Sequence, residues 1–299
     1  MKNSFDVPVL FLVFNRPEKT KQIFDRIRSV KPKYFYIAAD GPRANKEGES
    51  DLCNEVRDII GKIDWDCEVK YLLRNENLGC SKAIVSAIDW FFENEEQGII
   101  LEDDCLPDPS FFSYCNELLV KYKDNKEVMI ISGTNLGNSF GSDSYFFSRY
   151  GQIWGWATWR DAWNKYERTI ITKDKSLKFR SRQEKSFWNK NFTNVIWDVQ
   201  WAIYSVWKNS GIAVIPNKNL VSNIGFGLDA TYYTDENSIN SNIALSAMSF
   251  PLRHPIEIGI NGSIEDVLFY NHYYVPIHKK IKNKLGRILG SWGLKGSSI

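Results

Sequence analysis

Three adjacent carboxylates, Glu102, Asp103 and Asp104, follow an apolar run at residues 98–101 that is typical of a buried strand. Neighbouring carboxylates repel one another, and burying an unpaired one is costly. Mg²⁺ and Mn²⁺ prefer such hard oxygen ligands and also accept substrate phosphates. A solvated acidic turn is the alternative, but the buried strand before the triplet and Pro107 after it favour a divalent-metal site.

Short apolar runs and helical periodicity alternate over the first 135 residues. The apolar runs predict five strands, at residues 7–14, 33–40, 67–74, 98–101 and 127–133. Helices are predicted between them: one opened by Pro17, and others near residues 47–61, 80–96 and 109–123. This β-α-β-α order calls for an α/β fold with a mostly parallel central sheet, right-handed crossovers and flanking helices.

In such sheets, ligands bind outside the carboxyl ends of the strands. Besides the carboxylates, three polar pairs fall at predicted strand ends: Asn15-Arg16, Asp40-Gly41 and Arg74-Asn75. Each has a structural alternative, because Asn15 could cap a helix, Asp40 could close a turn and Arg74 could be a surface charge. Their convergence on one edge of the sheet nevertheless predicts a binding site there.

Composition excludes several classes of protein. The 299 residues carry 38 basic and 36 acidic side chains, so the net charge of +2 gives no field that would attract nucleic acid. The apolar run at residues 7–14 is too short for a signal peptide or a membrane span, and we expect a cytoplasmic protein. Five cysteines without a C-x-x-C pair predict reduced thiols, and the three histidines form no zinc motif.

Several segments, in order, resemble the nucleotide-sugar-binding half of a GT-A glycosyltransferase: "PVLFLVFNRP", "AADGPR", "RNENLGCSKAI" and "GIILEDDCLPDPSFF". More narrowly, they resemble bacterial family-2-like transferases related to N-acetylglucosaminyltransferase I. Later segments resemble the acceptor side of that group: "WGWATWRDAW", "WDVQW" and "IPNKNLVSNIGFGLDAT". The resemblance covers residues 7–255 and implies a GT-A (Rossmann-like) fold, with a nucleotide-sugar half at 1–135, an acceptor half at 136–274 and a basic tail at 275–299.

The resemblance implies a role for each polar cluster of the first half. Asp40 would accept a hydrogen bond from a uracil imide or lie near the ribose. Asn15 and Arg16 would lie beside the base and the diphosphate. Arg74 and the segment 77–79 would shape the donor pocket.

It also assigns the carboxylates. Asp104 would bind the metal, Mn²⁺ or Mg²⁺, directly, while Glu102 and Asp103 would contact the ribose, the sugar or a water on the metal. Relatives tend to have a histidine where Tyr232 stands here, and His254 is a candidate to replace it. The second protein ligand of the metal is therefore left open.

The implied reaction is metal-dependent hexosyl or N-acetylhexosaminyl transfer with inversion, in which a carboxylate takes the proton of the acceptor hydroxyl. Asp198 is the candidate base, with a helix N-cap as its alternative and Asp229 as the reserve. Tryptophan faces can stack on sugar rings, and Trp156, beside Gly155, is the candidate acceptor platform. Trp159 and Trp163, four residues apart, are predicted to pack in the core.

The implied substrates are a nucleotide sugar, with a UDP-sugar favoured, and a glycan or lipid-linked acceptor of bacterial surface polysaccharide or lipopolysaccharide synthesis. The basic tail could contact the inner membrane, or it could be a solvated terminus. One rival is a sugar-1-phosphate nucleotidyltransferase, which the glycine-free "NRPEKT" after the first strand disfavours. The other is a non-catalytic carbohydrate-binding protein, which has no need of the carboxylates.

Overall fold

In the part of the chain that the structure describes, the central sheet has eight strands, in the order β3-β2-β1-β4-β8-β6-β9-β7. The computed structural model describes residues 5–193, 196–226 and 243–274. The predictions for Asp229, Tyr232 and the 275–299 tail concern residues outside these ranges. Among the described residues, no helix combines the length and apolar character needed to cross a bilayer.

Ten strands are described. The first five are β1 (Val9–Val13), β2 (Tyr34–Ala39), β3 (Glu68–Leu73), β4 (Gln97–Glu102) and β5 (Cys105–Pro107). The others are β6 (Val128–Ser132), β7 (Tyr145–Ser148), β8 (Trp156–Trp159), β9 (Ile212–Pro216) and β10 (Val221–Asn223). Four neighbouring pairs of the main sheet are parallel and three are antiparallel, while β5 and β10 form a separate antiparallel pair. The predicted α/β class with a mostly parallel sheet is confirmed.

Nine α-helices are described. Four lie in the first half: α1 (Pro17–Val30), α2 (Glu49–Ile60), α3 (Cys80–Asn94) and α4 (Ser110–Tyr122). The others are α5 (Arg160–Trp163), α6 (Arg182–Asn191), α7 (Trp197–Val199), α8 (Val206–Lys208) and α9 (Gly262–Leu268). A π-helical turn, Gln200–Ser205, joins α7 to α8, and a second, Phe269–Tyr273, follows α9. The four helices and five strands predicted in the first half are all present, within a few residues of the predicted ends.

Successive side chains of a strand point to opposite faces of the sheet, and β1 is buried on both faces, whereas the edge strand β3 is largely exposed. Val9 and Phe11 of β1 join the apolar core that contains residues of α1, α2 and α4. Leu10 and Leu12 join the core that contains residues of α3 and most of the buried tryptophans. This alternation explains why β1 is apolar at every position.

Strand β8 separates the two parallel parts of the sheet. It pairs antiparallel with β4 on one side and with β6 on the other, so that Ala157 lies opposite both Ile99 and Ile131. Trp156 of this strand is fully buried, and its ring packs against those of Trp163 and Trp201. The prediction that Trp156 forms an acceptor platform is therefore wrong, because its ring faces the core.

Other predictions of packing hold. Trp159 and Trp163 are buried. All five cysteines lie within the described residues and are free thiols, as predicted.

Arg149 links three elements of the second half. Its Nε donates to Glu265 Oε2 at 3.0 Å, its Nη2 donates to Glu184 Oε1 at 2.8 Å, and its guanidinium lies 4.4 Å from the ring centroid of Trp207. Both carboxylates are buried, and burial raises the pKa of Glu265. A buried charge that loses its partner is strongly destabilising.

We expect Arg149→Met to lower the free energy of unfolding by about 3–5 kcal/mol, because it leaves two buried carboxylates without their cation. Urea unfolding followed by tryptophan fluorescence measures this. Arg168→Met is the matched control: the Arg168–Asp89 pair is exposed, so its loss should cost less than about 1 kcal/mol. Equal losses for the two variants would contradict the expectation.

Candidate functional site

A pocket with a volume of about 390 Å³ lies at the carboxyl ends of β1, β2 and β4. Nine of the residues predicted from the sequence line it: Arg16, Asp40, Arg74, Asn77, Gly79, Glu102, Asp103, Asp104 and Asp198. The convergence expected from the order of strands and helices is therefore present, and the second half of the chain contributes to the same pocket.

Arg16 connects the end of β1 to the end of β4. Its Nη1 donates to Asp104 Oδ2 at 2.8 Å and to Asp103 Oδ1 at 3.1 Å. The backbone N–H of Phe14 donates to the other oxygen of Asp103 at 3.2 Å. Asp103 therefore faces β1 and acts as an anchor for the loop before α1, while Asp104 is held by Arg16 from one side.

The side chain of Glu102 has no hydrogen bond or ion pair within the described part of the chain. Burial raises its pKa well above the ordinary range, and the charges of Asp104 and Asp103 raise it further. Burial also raises the pKa of Asp103 to about 6, although Arg16 opposes this shift. The guanidinium of Arg16 is bonded to two of the three carboxylates, Asp103 and Asp104, so the negative charge of the cluster is only partly neutralised.

The chemistry of this cluster fits a divalent cation that is only partly coordinated by protein. Within the described residues, no group of three acidic, histidine or cysteine side chains could hold a metal by itself, and Asp103 is turned towards Phe14. Mg²⁺ is commonly held by one or two carboxylates together with water and substrate phosphates. Glu102 and Asp104 supply such a pair at the pocket wall.

His254 is not part of this site. Its Nδ1 lies 2.9 Å from the Tyr145 hydroxyl and its Nε2 lies 3.2 Å from Glu117 Oε1. The prediction that it could serve as a metal ligand is wrong, because both ring nitrogens are engaged by residues that do not line the pocket.

Asp40 braces two loops against each other. Its Oδ1 accepts from the backbone N–H groups of Gly41 at 3.0 Å and Leu78 at 3.1 Å. Asn77 completes the brace by donating to Gly41 O at 2.8 Å and accepting from Gly79 N at 3.1 Å. A Cβ on Gly41 would lie 2.5 Å from the backbone of residue 76. The turn role considered for Asp40 is present, and the contact with a nucleobase stays a prediction.

Three guanidinium groups line the pocket: those of Arg16, Arg43 and Arg74. Arg43 pairs with Glu49 and lies 5.7 Å from the ring centroid of Phe14. Arg74 donates to Ser86 Oγ at 2.8 Å, and burial lowers its pKa. Arg43 was not predicted as a site residue, although it follows the end of β2 as Asp40 does and could have been found by the same reasoning.

Asn15 does not line the pocket. Its Nδ2 donates to Glu49 Oε1 at 2.9 Å. It does not cap α1 either, since the N-cap position is occupied by Arg16 and no side chain caps that helix. Asn15 instead holds Glu49, the partner of Arg43, so that its effect on the pocket is indirect.

Asp198 enters the pocket from the first turn of α7. Its Oδ1 accepts from Val199 N at 2.6 Å, and burial raises its pKa. Burial raises the pKa of Cys80 to about 12, and the charges of Glu102 and Asp198 both add to this shift. The two carboxylates therefore act on the same part of the pocket. The N-cap of α7 is Ile196, so the capping alternative for Asp198 does not hold.

The segment after β10 closes over Asp104. The N–H of Ile224 donates to Asp104 O at 2.8 Å, and a Cβ on Gly225 would lie 2.1 Å from Asp104 Oδ2. Trp154 lines the same region, and its ring meets that of Phe226 edge-on at 5.8 Å. Trp154 lines the pocket, as does Trp197, whereas Trp156 does not. Gly155, which lies between Trp154 and Trp156, has a positive φ at which the chain turns.

No protein-family model matches the sequence, and a search of curated proteins finds no match. Two solved structures are similar at low identity. A cytidylyltransferase from Leptospira borgpetersenii serovar Hardjo-bovis (strain JB197) is 11% identical with a TM-score of 0.36, and the match covers 56% of this chain and 65% of that one. A 4-diphosphocytidyl-2C-methyl-D-erythritolsynthase from Anaerococcus prevotii DSM 20548 is 10% identical with a TM-score of 0.35, and the match covers 63% of this chain and 97% of that one. No residue role is transferred from these similarities.

We expect Gly225→Ala to weaken Mn²⁺ binding at least about tenfold, because the new methyl group must displace the Asp104 carboxylate. Titration of Mn²⁺ followed by electron paramagnetic resonance measures the affinity. Gly259→Ala is the control, since a Cβ there meets nothing within 4 Å. Unchanged Mn²⁺ affinity in a folded Gly225→Ala variant would contradict the placement of the metal at Asp104.

Proposed function

We propose that the protein is a metal-dependent glycosyltransferase of the GT-A type. It would transfer a hexosyl or N-acetylhexosaminyl group from a nucleotide sugar, a UDP-sugar being favoured, to a glycan or lipid-linked acceptor. The observation that carries this proposal is the shared pocket, whose lining includes the guanidinium groups of the first half, the carboxylates at the end of β4 and Asp198 of the second half. Such a pocket suits an anionic donor whose reacting carbon faces a general base.

The donor diphosphate would lie between the guanidinium groups and the carboxylates. Arg16, Arg43 and Arg74 offer hydrogen bonds to phosphate oxygens, which guanidinium groups bind well. Glu102 and Asp104 would hold Mn²⁺ or Mg²⁺, which neutralises charge on the leaving diphosphate. Asp40 and Asn77, at the braced loops, fix the wall against which the nucleoside would rest.

Asp198 would act as the general base. The acceptor oxygen forms a bond to the anomeric carbon from the face opposite the diphosphate, the bond to the diphosphate oxygen breaks, and the hydroxyl proton passes to the Asp198 carboxylate. The product has the inverted configuration. The raised pKa of Asp198 brings it nearer to the range of an effective base than an exposed aspartate would be.

Trp154 would take the role first assigned to Trp156. Its indole lies at the same pocket as Asp198, and an aromatic face is a suitable support for a sugar ring. A carbohydrate-binding protein without catalysis would also use such a ring, but it would have no need of the guanidinium and carboxylate groups beside it.

Nucleotidyl transfer is the second candidate, and one of the similar structures described above is named a cytidylyltransferase. The loop after β1 disfavours it. A phosphate loop offers free backbone N–H groups, whereas here the N–H of Phe14 is taken by Asp103 and Pro17 has none. The products separate the two activities: glycosyl transfer releases a nucleoside diphosphate, while nucleotidyl transfer run with pyrophosphate releases a nucleoside triphosphate and a sugar phosphate.

We expect a UDP-sugar to raise the melting temperature of the protein in the presence of Mn²⁺ and much less in its absence. A thermal-shift screen of nucleotide sugars, with and without Mn²⁺, measures this. Asp104→Asn should abolish the metal-dependent part, because the carboxylate assigned to the metal is lost, whereas Asp25→Asn on the exposed face of α1 should retain it. Absence of any response to nucleotide sugars would count against the donor site.

We expect Asp198→Asn to lower the rate of sugar transfer by about 10²–10⁴-fold, since an amide cannot accept the hydroxyl proton. Donor affinity should stay within about threefold of the wild-type value, because Asp198 is assigned to the acceptor side. Release of UDP coupled to product formation reports the rate, and thermal shift reports donor binding. Asp161→Asn, an exposed carboxylate paired with Lys126, is the control. Retained transfer would eliminate Asp198 as the base.

A further inference from the structure

Arg16 holds the same carboxylate to which the proposed function assigns the metal. Its Nη1 donates to Asp104 Oδ2 at 2.8 Å. Among the residues that the structure describes, it is the one cationic side chain with a hydrogen bond to the carboxylate cluster. A guanidinium and a divalent cation bound to one carboxylate repel each other at a separation of about 4 Å. Arg16 and the metal are therefore competitors for Asp104.

The surroundings allow Arg16 to leave Asp104 without leaving the site. Asp103 is fixed independently by the N–H of Phe14, and Arg16 also donates to Asp103 at 3.1 Å. The backbone carbonyl of Arg16 accepts from Thr20 N at 2.9 Å, in the first turn of α1. The guanidinium and the backbone of Arg16 therefore each have a hydrogen bond that does not involve Asp104.

We propose that Arg16 is an internal counter-cation of Asp104 that the metal displaces and that the donor diphosphate then receives. This inference rests on the proposed function of the pocket. Metal alone must break the Arg16–Asp104 pair without supplying a new anion in place of Asp104, whereas a bound diphosphate supplies one. Donor and metal then favour each other's binding by the same factor, as linkage requires.

The other two guanidinium groups have different partners. Arg43 pairs with Glu49, and Arg74 donates to the hydroxyl of Ser86. Both line the pocket with Arg16, and neither is hydrogen-bonded to the carboxylates. Arg43→Gln therefore removes one positive charge from the pocket without freeing Asp104, which makes it the matched control for Arg16→Gln.

The test is a titration of the full chain with Mn²⁺, followed by electron paramagnetic resonance, in the absence and the presence of UDP. Without UDP, Arg16→Gln should bind Mn²⁺ on the order of tenfold more tightly than the wild type, because the competing charged hydrogen bond is gone. The enhancement of Mn²⁺ affinity by UDP should fall by a similar factor. Arg43→Gln should bind Mn²⁺ alone within about threefold of the wild type.

Equal Mn²⁺ affinities of Arg16→Gln and the wild type without UDP would overturn the inference. An equal gain in Mn²⁺ affinity in Arg16→Gln and Arg43→Gln would also overturn it, because the gain would then reflect only the loss of one positive charge from the pocket. In either case the proposed function stands if UDP-dependent Mn²⁺ binding is lost in Asp104→Asn. If wild-type protein binds neither a nucleotide sugar nor Mn²⁺ with UDP, the proposed function fails and the inference fails with it.

A measurement on the wild type covers the case in which Arg16→Gln does not fold. In a crystal structure with Mg²⁺ and UDP, Arg16 Nη1 should lie more than about 4 Å from both carboxylate oxygens of Asp104 and within hydrogen-bond distance of a phosphate oxygen. Retention of the 2.8 Å contact with Asp104 beside a bound metal would overturn the inference.

Discussion

Repulsion among the carboxylates at the end of β4 is the constraint on which the rest of the pocket depends. Three acidic residues in succession, partly withdrawn from water, need positive charge and hydrogen-bond donors nearby. The chain supplies them from the end of β1, as Arg16 and the N–H of Phe14. The N–H of Ile224, after β10, donates to the backbone carbonyl of Asp104 and so brings the second half of the chain to the same place. The cluster therefore draws the two halves of the chain together at the point where the pocket forms.

Insertion of β8 between β4 and β6 makes this arrangement possible. Because β8 runs antiparallel to both neighbours, the chain that enters it comes from the pocket edge of the sheet. Trp154, just before that strand, is thereby delivered to the pocket, whereas Trp156, inside it, is buried. The same core holds Trp197, at the start of α7, and the first turn of that helix brings Asp198 to the pocket. One strand in the middle of the sheet thus positions groups from both halves.

The part of the structure that the sequence predicts is the part governed by local pattern. Alternating apolar runs and amphipathic helices predict that the ends of β1, β2 and β4 lie on one edge of the sheet. The polar residues at those ends are therefore predicted to lie close together. What local pattern does not contain is which strand lies beside which. The position of β8 depends on pairing between distant segments, so the sequence could not show that Trp156 faces inwards. Asn15 and His254 were misjudged for the same reason, because Glu49 and Tyr145, their actual partners, are far away in the chain.

The loop after β1 shows how this pocket can hold an anion without a glycine-rich phosphate loop. Its first N–H is committed to Asp103, and Pro17 contributes none. Anion binding must then come from side chains, and the available ones are guanidinium groups that already have acidic or hydroxyl partners. A phosphate in this pocket would have to compete with Asp104, Glu49 or Ser86 for the hydrogen-bond donors of the guanidinium groups. Each guanidinium group of this pocket therefore already has a partner. An anion that binds must either break one of these pairs or bind together with a cation. The substrate of the proposed function, a nucleoside diphosphate sugar with a divalent metal, would bring both signs of charge to the pocket together.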